Sequence, residues 1–131
     1  MWLIEQALER IVGLCPAFMR PPYGNYNDLV RQVAYQRGQS LVTWDFDSQD
    51  SIGATVSQSE TLYAQAVAKN PSNMLALNHE PMETTVHQVL PYAINLLQSK
   101  GYELVTVAEC LNMEPYQWTT TPGTKDSTWT C

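Results

Sequence analysis

The alternation of strand-like and helical segments is the feature of this chain that most limits its fold. Short apolar runs are separated by longer stretches whose apolar positions recur with a helical period. Strands joined by helices of about ten or more residues run parallel through right-handed crossovers. The sequence therefore predicts an α/β fold with about four parallel strands alternating with helices. The predicted strands are 17–19, 40–44, 73–77 and 103–107, and the predicted helices begin near residues 2, 28, 57 and 84.

Capping and helix-breaking residues predict several helix boundaries. Gly13 ends the first helix, and Asn27 caps a second helix that stops near Gly38. The run 57–60, Ser-Gln-Ser-Glu, fits a capping box for the third helix. Pro91 lies inside the fourth helix and is expected to kink it.

Length and charge exclude several classes of protein. The 131 residues suffice for one domain with a hydrophobic core. A net charge of −6 argues against nucleic acid or an anionic membrane as the partner. Apolar runs are far shorter than the ~20 residues of a membrane span. Glu5, Glu9 and Arg10 interrupt the N-terminal apolar positions, so no signal peptide is predicted in this chain.

The three cysteines leave the disulfide pairing open. Cys15 and Cys110 are expected to be small buried residues or halves of disulfides, and Cys131 at the last position has no assignable partner. The absence of a Cys-x-x-Cys pair argues against a metal site built from thiolates.

Reactive side chains follow three of the predicted strands. Arg20 follows the first strand, and the acidic run 45–50 follows the second, within a predicted polar loop at 45–55. His79 and Glu80 follow the third strand. Ligands of parallel α/β folds bind at the carboxyl ends of the strands, which lie along one edge. The three loops are therefore expected to share a site.

His79 is the candidate for proton transfer, because imidazole changes its charge near neutral pH. A carboxylate such as Asp50 close to it would favour the protonated ring. The simpler alternative for His79 is a histidine that caps the next helix, and for the acidic run a solvated loop. A calcium loop is a further alternative, but the glycine and terminal glutamate of an EF-hand are missing. His87 is predicted to be an exposed helical residue.

The segment 20–24, Arg-Pro-Pro-Tyr-Gly, has a stiff backbone. Proline fixes φ and lacks an N–H, whereas glycine adopts conformations that other residues resist. Such a backbone can aim the Arg20 guanidinium or a backbone N–H at a ligand. An exposed ion pair is the simpler alternative for Arg20. Trp44 is expected in the core or in the wall of a cleft.

These motifs resemble those of a known family. The segments 20–24, 45–50 and 77–80 look like the third, fourth and fifth motifs of the polysaccharide deacetylases, the NodB-like enzymes of carbohydrate esterase family 4. The whole chain is most similar to fungal chitin deacetylases, including Gly-Tyr-Glu-Leu-Val-Thr-Val at 101–107. The resemblance implies the C-terminal portion of a distorted (β/α) barrel of the NodB type.

The resemblance also implies a reaction and roles for residues. The family hydrolyses the N-acetyl amides of chitin-like N-acetylglucosamine polymers with a divalent metal, zinc or cobalt, and releases acetate. By this resemblance, His79 would be the general acid, and Asp50 would hold it. Leu77 would line the pocket for the acetyl methyl group. Tyr23 would offer its backbone N–H to the oxyanion, and Arg20 would pair with an aspartate base.

Two motifs of the family are missing from this sequence. One supplies the aspartate base and a metal ligand, and the other, His-x-x-x-His, supplies two further ligands. We therefore assign no metal-ligating residue and expect the chain to be inactive alone. In addition, Ser51 stands where the family often has a tryptophan in the wall of the substrate groove.

The resemblance implies that residues 1–111 belong to the deacetylase domain and that 112–131 form a Thr/Trp-rich tail. It also implies a protein that is secreted or located in the fungal cell wall. Two other interpretations stay open. One is a non-catalytic remnant that binds glycans through Trp44 and Tyr23, and the other is an unrelated small α/β domain.

Overall fold

A computed structural model describes residues 1–129 of the chain. Within these residues lie five α-helices and six short strands. The helices are α1 (Trp2–Val12), α2 (Asp28–Gln36), α3 (Val56–Ala68), α4 (Leu90–Ser99) and α5 (Val107–Leu111). The strands are β1 (Leu14–Pro16), β2 (Phe18–Met19), β3 (Ser40–Leu41), β4 (Phe46–Asp47), β5 (Ala76–Leu77) and β6 (Tyr116–Thr119).

Four of the strands form two parallel pairs. β2 pairs with β3, which places Phe18 opposite Ser40, and β4 pairs with β5, which places Phe46 opposite Ala76. β1 and β6 form an antiparallel pair. The prediction of an α/β fold with about four parallel strands is confirmed, although the strands are shorter than predicted and one of them is a different segment.

The strand predicted at 103–107 is wrong. Residues 102–106, all within the described part of the chain, have no regular secondary structure. The Thr106 hydroxyl accepts a hydrogen bond from the backbone N–H of Glu109, and this cap takes Val107 into α5. A segment with a strand-like sequence becomes a strand only when it pairs with a neighbouring strand. At residues 103–107 the hydrogen bonds of the helix cap decide the conformation instead.

The predicted loop at 45–55 contains β4, a parallel strand that the sequence pattern missed. Phe46 packs against Tyr63 of α3, with the ring centroids 4.4 Å apart. A single aromatic residue between two aspartates gives no alternation for a pattern to detect. The strand depends on its parallel pairing with β5 and on the packing of Phe46 against α3, both of which form only in the folded protein.

The capping box of α3 lies two residues before the predicted one at 57–60. The Thr55 hydroxyl accepts a hydrogen bond of 3.3 Å from the Gln58 N–H, and the Gln58 side chain accepts one of 2.7 Å from the Thr55 N–H. Both runs have the required spacing, and the earlier one is used. The caps of α1 and α2 are as predicted, with Gly13 at a φ of 70° and Asn27 accepting from the Val30 N–H.

The fourth helix is irregular before Pro91. A π-helical turn spans Thr85–Val89, and α4 then begins with Pro91 in its first turn. Proline has no N–H, and its ring would clash with the carbonyl of His87 four residues earlier in a regular helix. A wider turn removes this clash, so the distortion expected from Pro91 lies in the turn preceding it.

The chain divides into two compact units. The first contains Met1–Thr43 and the chain from Thr106 onward, and the second contains Trp44–Val105. The second unit has a hydrophobic core between α3, the π-helical turn and α4, and β4 and β5 supply flanking residues. Its buried members are Tyr63, Val67, Val89, Ala93 and Leu97.

In the first unit, α1 buries a charge and exposes apolar side chains. Glu5 is buried and paired with Arg37, whose Nε donates a 2.8 Å hydrogen bond to Glu5 Oε1. The hydrogen bonds and charge of Arg37 lower the pKa of Glu5 despite the opposing effect of burial. Leu3 and Ile4 are exposed by 74% and 64%. The amphipathic pattern therefore predicted the helix but not which face lies inward.

Two of the three cysteines lie in the described residues. Cys15 and Cys110 are free thiols. Cys15 is buried as predicted, and burial raises its pKa. Cys110 is exposed, so the prediction that it is buried or forms a disulfide is wrong. Cys131 lies outside the described residues. The domain boundary predicted after residue 111 stays a prediction.

Candidate active site

Asp50 and His79 come together just beyond the carboxyl ends of neighbouring parallel strands. Asp50 follows β4 and His79 follows β5. The Asp50 Oδ1 lies 2.8 Å from the His79 Nδ1, and the Asp50 Oδ2 accepts a 2.7 Å hydrogen bond from the His79 backbone N–H. The sequence predicted that these two side chains share a site, and the structure places them in direct contact.

Asp50 is held as a buried carboxylate. Its side chain is only 3% exposed, and its Oδ2 also accepts a 2.9 Å hydrogen bond from the buried hydroxyl of Thr85. Burial raises the pKa of Asp50, but the hydrogen bonds from His79 and Thr85 outweigh it and lower the pKa below its usual value. Asp50 is therefore ionised at neutral pH.

The charge of Asp50 fixes the tautomer of His79. An ionised carboxylate has no proton to donate, so the proton of their shared hydrogen bond must reside on the His79 Nδ1. The other ring nitrogen, Nε2, stays available, and the side chain of His79 is 34% exposed. Such a ring can exchange a proton with a bound molecule through Nε2 while its Nδ1 stays hydrogen-bonded to Asp50.

The loop before Asp50 owes its shape to a neighbouring aspartate. Asp47 accepts a 2.7 Å hydrogen bond from the Gln49 N–H, which forms a local turn. Gln49 has a φ of 61°, a conformation that is uncommon for residues other than glycine. Asp45 likewise accepts a 2.7 Å hydrogen bond from the Leu75 N–H at the start of the next strand. Two of the three acids in the acidic run thus shape the backbone that presents the third.

Thr85 is the site residue that the sequence did not reveal. Its hydroxyl is fully buried against Asp50, 35 positions earlier in the chain, at the first residue of the π-helical turn. The sequence predicted Thr84 or Thr85 as the opening residue of a helix. Threonine is common at helix starts, so its type and position carried no signal for a contact with Asp50.

The predicted substrate-binding residues of this unit occupy different environments. Leu77 is buried in β5, and its carbonyl accepts a 3.0 Å hydrogen bond from the Ser48 hydroxyl. Trp44 is half-buried at the start of the unit. Contact of either residue with a glycan stays a prediction.

Arg20 and Tyr23 belong to the first unit, whereas the dyad of Asp50 and His79 belongs to the second. The segment Pro22–Gly24 forms a 3₁₀ turn, within which Tyr23 has a φ of 56°. The Tyr23 side chain is 92% exposed, and Arg20 is also exposed. The segment thus has an unusual backbone conformation at Tyr23. Its stiffness and the catalytic roles of the two residues stay predictions.

The described residues do not fit a metal site of the usual kind. Within 1–129, no group of three or more His, Cys, Asp or Glu side chains is arranged to hold a metal ion. Both oxygens of Asp50 and the Nδ1 of His79 are already engaged in hydrogen bonds. We therefore assign no metal ligand among these residues.

The lowered pKa of Asp50 makes the stability of the fold depend on pH. Since the folded pKa lies below the unfolded value of about 3.9, the stabilisation is complete above that value and is lost as pH falls through the folded pKa. We expect the free energy of unfolding, measured with urea from about pH 6 to about pH 2, to fall less steeply in an Asp50→Asn variant. Equal slopes in the two proteins would contradict this assignment.

Comparison with known proteins gives consistent matches to deacetylases. A chitin deacetylase from Amylomyces rouxii is 32% identical over 94% of this chain, which spans 32% of that relative. A chitin deacetylase structure from Colletotrichum lindemuthianum matches with a TM-score of 0.81 and 29% identity, over 92% of this chain and 55% of that one. A polysaccharide deacetylase structure from Bacillus cereus matches with a TM-score of 0.69, 26% identity and coverage of 90% and 60%. No family model matches the chain.

These matches extend over most of this chain and only part of each relative. They include both sequence and fold, and the α/β arrangement of the described residues is that of NodB-like deacetylase structures. The described residues have the fold of part of a NodB-like domain, and the chain is similar in sequence to polysaccharide deacetylases.

Proposed function

We propose that this chain supplies the general acid of an active site that removes N-acetyl groups from chitin-like polysaccharide. The observation that carries the proposal is the pair formed by a buried, ionised Asp50 and a half-exposed His79. This pair holds a proton on Nδ1 and leaves Nε2 directed away from the carboxylate. The similarity to chitin deacetylases supports the choice of substrate.

In this reaction the amide C–N bond breaks, water becomes part of the released acetate, and the departing nitrogen must gain a proton. His79 in its charged form gives that proton from Nε2, while its Nδ1 stays hydrogen-bonded to Asp50. We further propose that the Tyr23 N–H stabilises the oxyanion, that Arg20 pairs with the base, and that Leu77 lines the acetyl pocket.

The metal and the base of the proposed reaction are assigned to no residue of this sequence. In this family a divalent metal, zinc or cobalt, would supply activated water when bound. The side chains of residues 1–129 offer no group that fits it. We accordingly propose that the chain alone releases no acetate, and that the complete protein is secreted or located in the cell wall. No helix in the described part of the chain has the length and apolarity to cross a membrane.

A chimeric protein tests this proposal. The 131-residue chain would be joined to the part of the Colletotrichum lindemuthianum chitin deacetylase that it does not cover, and acetate release from an N-acetylglucosamine oligomer would be measured with added zinc or cobalt. We expect release by the chimera and none by the chain alone. A folded chimera that releases no acetate would contradict the enzymatic proposal, and release by the chain alone would contradict its dependence on the missing motifs.

Glycan binding without catalysis is the second candidate function. The observation in its favour is the Tyr23 ring, which is 92% exposed on a strained turn, as aromatic residues that stack on ligands often are. A chain that is retained on chitin, and that loses retention in a Tyr23→Ala variant, would favour this function. Retention unaffected by the substitution would count against it.

A further inference from the structure

Helix α3 carries two buried polar side chains on the face that it turns toward the dyad loops. Ser59 and Tyr63 are 1% and 2% exposed. They lie four positions apart, so they are neighbours on one face of the helix. Buried hydroxyl groups need hydrogen-bond partners. The partners of these two hydroxyls show which loops the helix contacts.

Ser59 holds the loop that leads to Asp50. Its hydroxyl donates a 2.8 Å hydrogen bond to the carbonyl of Ser48, two residues before Asp50. The fully buried Ser48 in turn donates its own hydroxyl to the carbonyl of Leu77 at 3.0 Å. This chain of hydrogen bonds joins α3 to the ends of both strands that carry the dyad.

Tyr63 holds the segment that carries His79. Its hydroxyl accepts a 2.6 Å hydrogen bond from the Nδ2 of Asn78, the residue directly before His79. The Oδ1 of Asn78 is buried and has no hydrogen-bond partner among the described residues. The bond to Tyr63 is therefore the one side-chain hydrogen bond described for Asn78. Burial raises the pKa of Tyr63, so the hydroxyl stays neutral at physiological pH.

We propose that α3 positions the dyad, with Tyr63 orienting His79 through Asn78 and Ser59 placing Asp50 through Ser48. Ser59 and Tyr63 contact neither Asp50 nor His79 by hydrogen bonds and act through the residues between them. The functional meaning rests on the proposed role of His79. The positioning itself is measurable without any catalytic reaction.

The test compares two Tyr→Phe variants of the 131-residue chain. Tyr63→Phe removes the hydroxyl that accepts from Asn78, and Tyr102→Phe removes a hydroxyl that donates a 2.6 Å hydrogen bond to the carbonyl of Pro71. Each variant keeps its ring and loses one hydrogen bond in the same unit, so their losses of stability should be similar. The readouts are solvent exchange of the His79 backbone N–H and the tautomer of its ring, both by NMR.

We expect Tyr63→Phe to accelerate exchange of the His79 N–H about tenfold beyond Tyr102→Phe, as the loss of one orienting hydrogen bond implies. We also expect it to reduce the fraction of the ring protonated on Nδ1. Equal exchange rates and tautomer fractions in the two variants would overturn the proposal.

Two further variants decide the outcome if Tyr63→Phe does not fold. Asn78→Ala removes the partner of Tyr63, and Ser59→Ala removes the hydroxyl of α3 that holds the Ser48 carbonyl. Each should accelerate exchange of the His79 N–H. Wild-type exchange in both would overturn the proposal. A dyad disturbed in these variants, together with a chimera that releases no acetate, would leave the positioning established and refute only the enzymatic role.

Discussion

Replacement of His79 by alanine in the chimeric deacetylase is expected to lower acetate release by about 10²- to 10⁴-fold. The departing amine would then lose the group that protonates it, whereas substrate binding by other residues would persist. The effect should therefore appear in kcat more than in KM. The measurement is the rate of acetate release at saturating and at limiting concentrations of an N-acetylglucosamine oligomer.

The sequence contains a matched control for this substitution. His87 is the second of its two histidines, and it is exposed in the π-helical turn Thr85–Val89. His87→Ala should leave acetate release within a factor of about two, because surface substitutions have small effects. Equal losses in the two variants, or full activity of His79→Ala, would remove His79 from the reaction.

Replacement of Asp50 by alanine is expected to destabilise the second unit by about 3 kcal/mol. The hydroxyl of Thr85 and the backbone N–H of His79 would both lose their acceptor, and Thr85 is fully buried. Leaving buried donors without a partner costs the free energy of removing them from water, about 1–3 kcal/mol for each group. The measurement is the midpoint and slope of urea unfolding at neutral pH.

Asp47→Ala is the control for that measurement. Asp47 also accepts a backbone hydrogen bond, from the Gln49 N–H at 2.7 Å, but it does so in an exposed turn. Water can replace the lost acceptor there, so we expect a change below about 1 kcal/mol. A loss for Asp50→Ala no larger than that for Asp47→Ala would show that the buried hydrogen bonds contribute little to stability.

Two helix ends that depend on local signals were predicted correctly from the sequence. Gly13 and Asn27 bound their helices as expected, because a helix end is decided by residues close in the chain. The strands were predicted less well. β4 contains one large apolar residue, Phe46, and exists through its pairing with β5 and its packing on Tyr63. Such contacts between distant residues leave no periodic pattern in the sequence.

In the candidate site, too, some residues could be predicted from the sequence and others could not. His79 and Asp50 could be predicted because carboxyl ends of parallel strands meet at one edge, so that strand order alone places their loops together. Thr85, Ser59 and Tyr63 could not, because common residues of a helix look alike whether they face solvent or a buried carboxylate. What distinguishes them is a specific hydrogen bond across the unit.

The exposed apolar side of α1 has a consequence for the heat capacity of unfolding. A positive heat-capacity change arises when apolar surface that is dry in the native state becomes hydrated. The side chains of Leu3, Ile4 and Ile11 are already more than half in contact with water in the folded chain. They add little to that change, which flattens the curve of stability against temperature. A protein partner that covered this side of α1 would increase the heat-capacity change of unfolding and would also stabilise the folded chain.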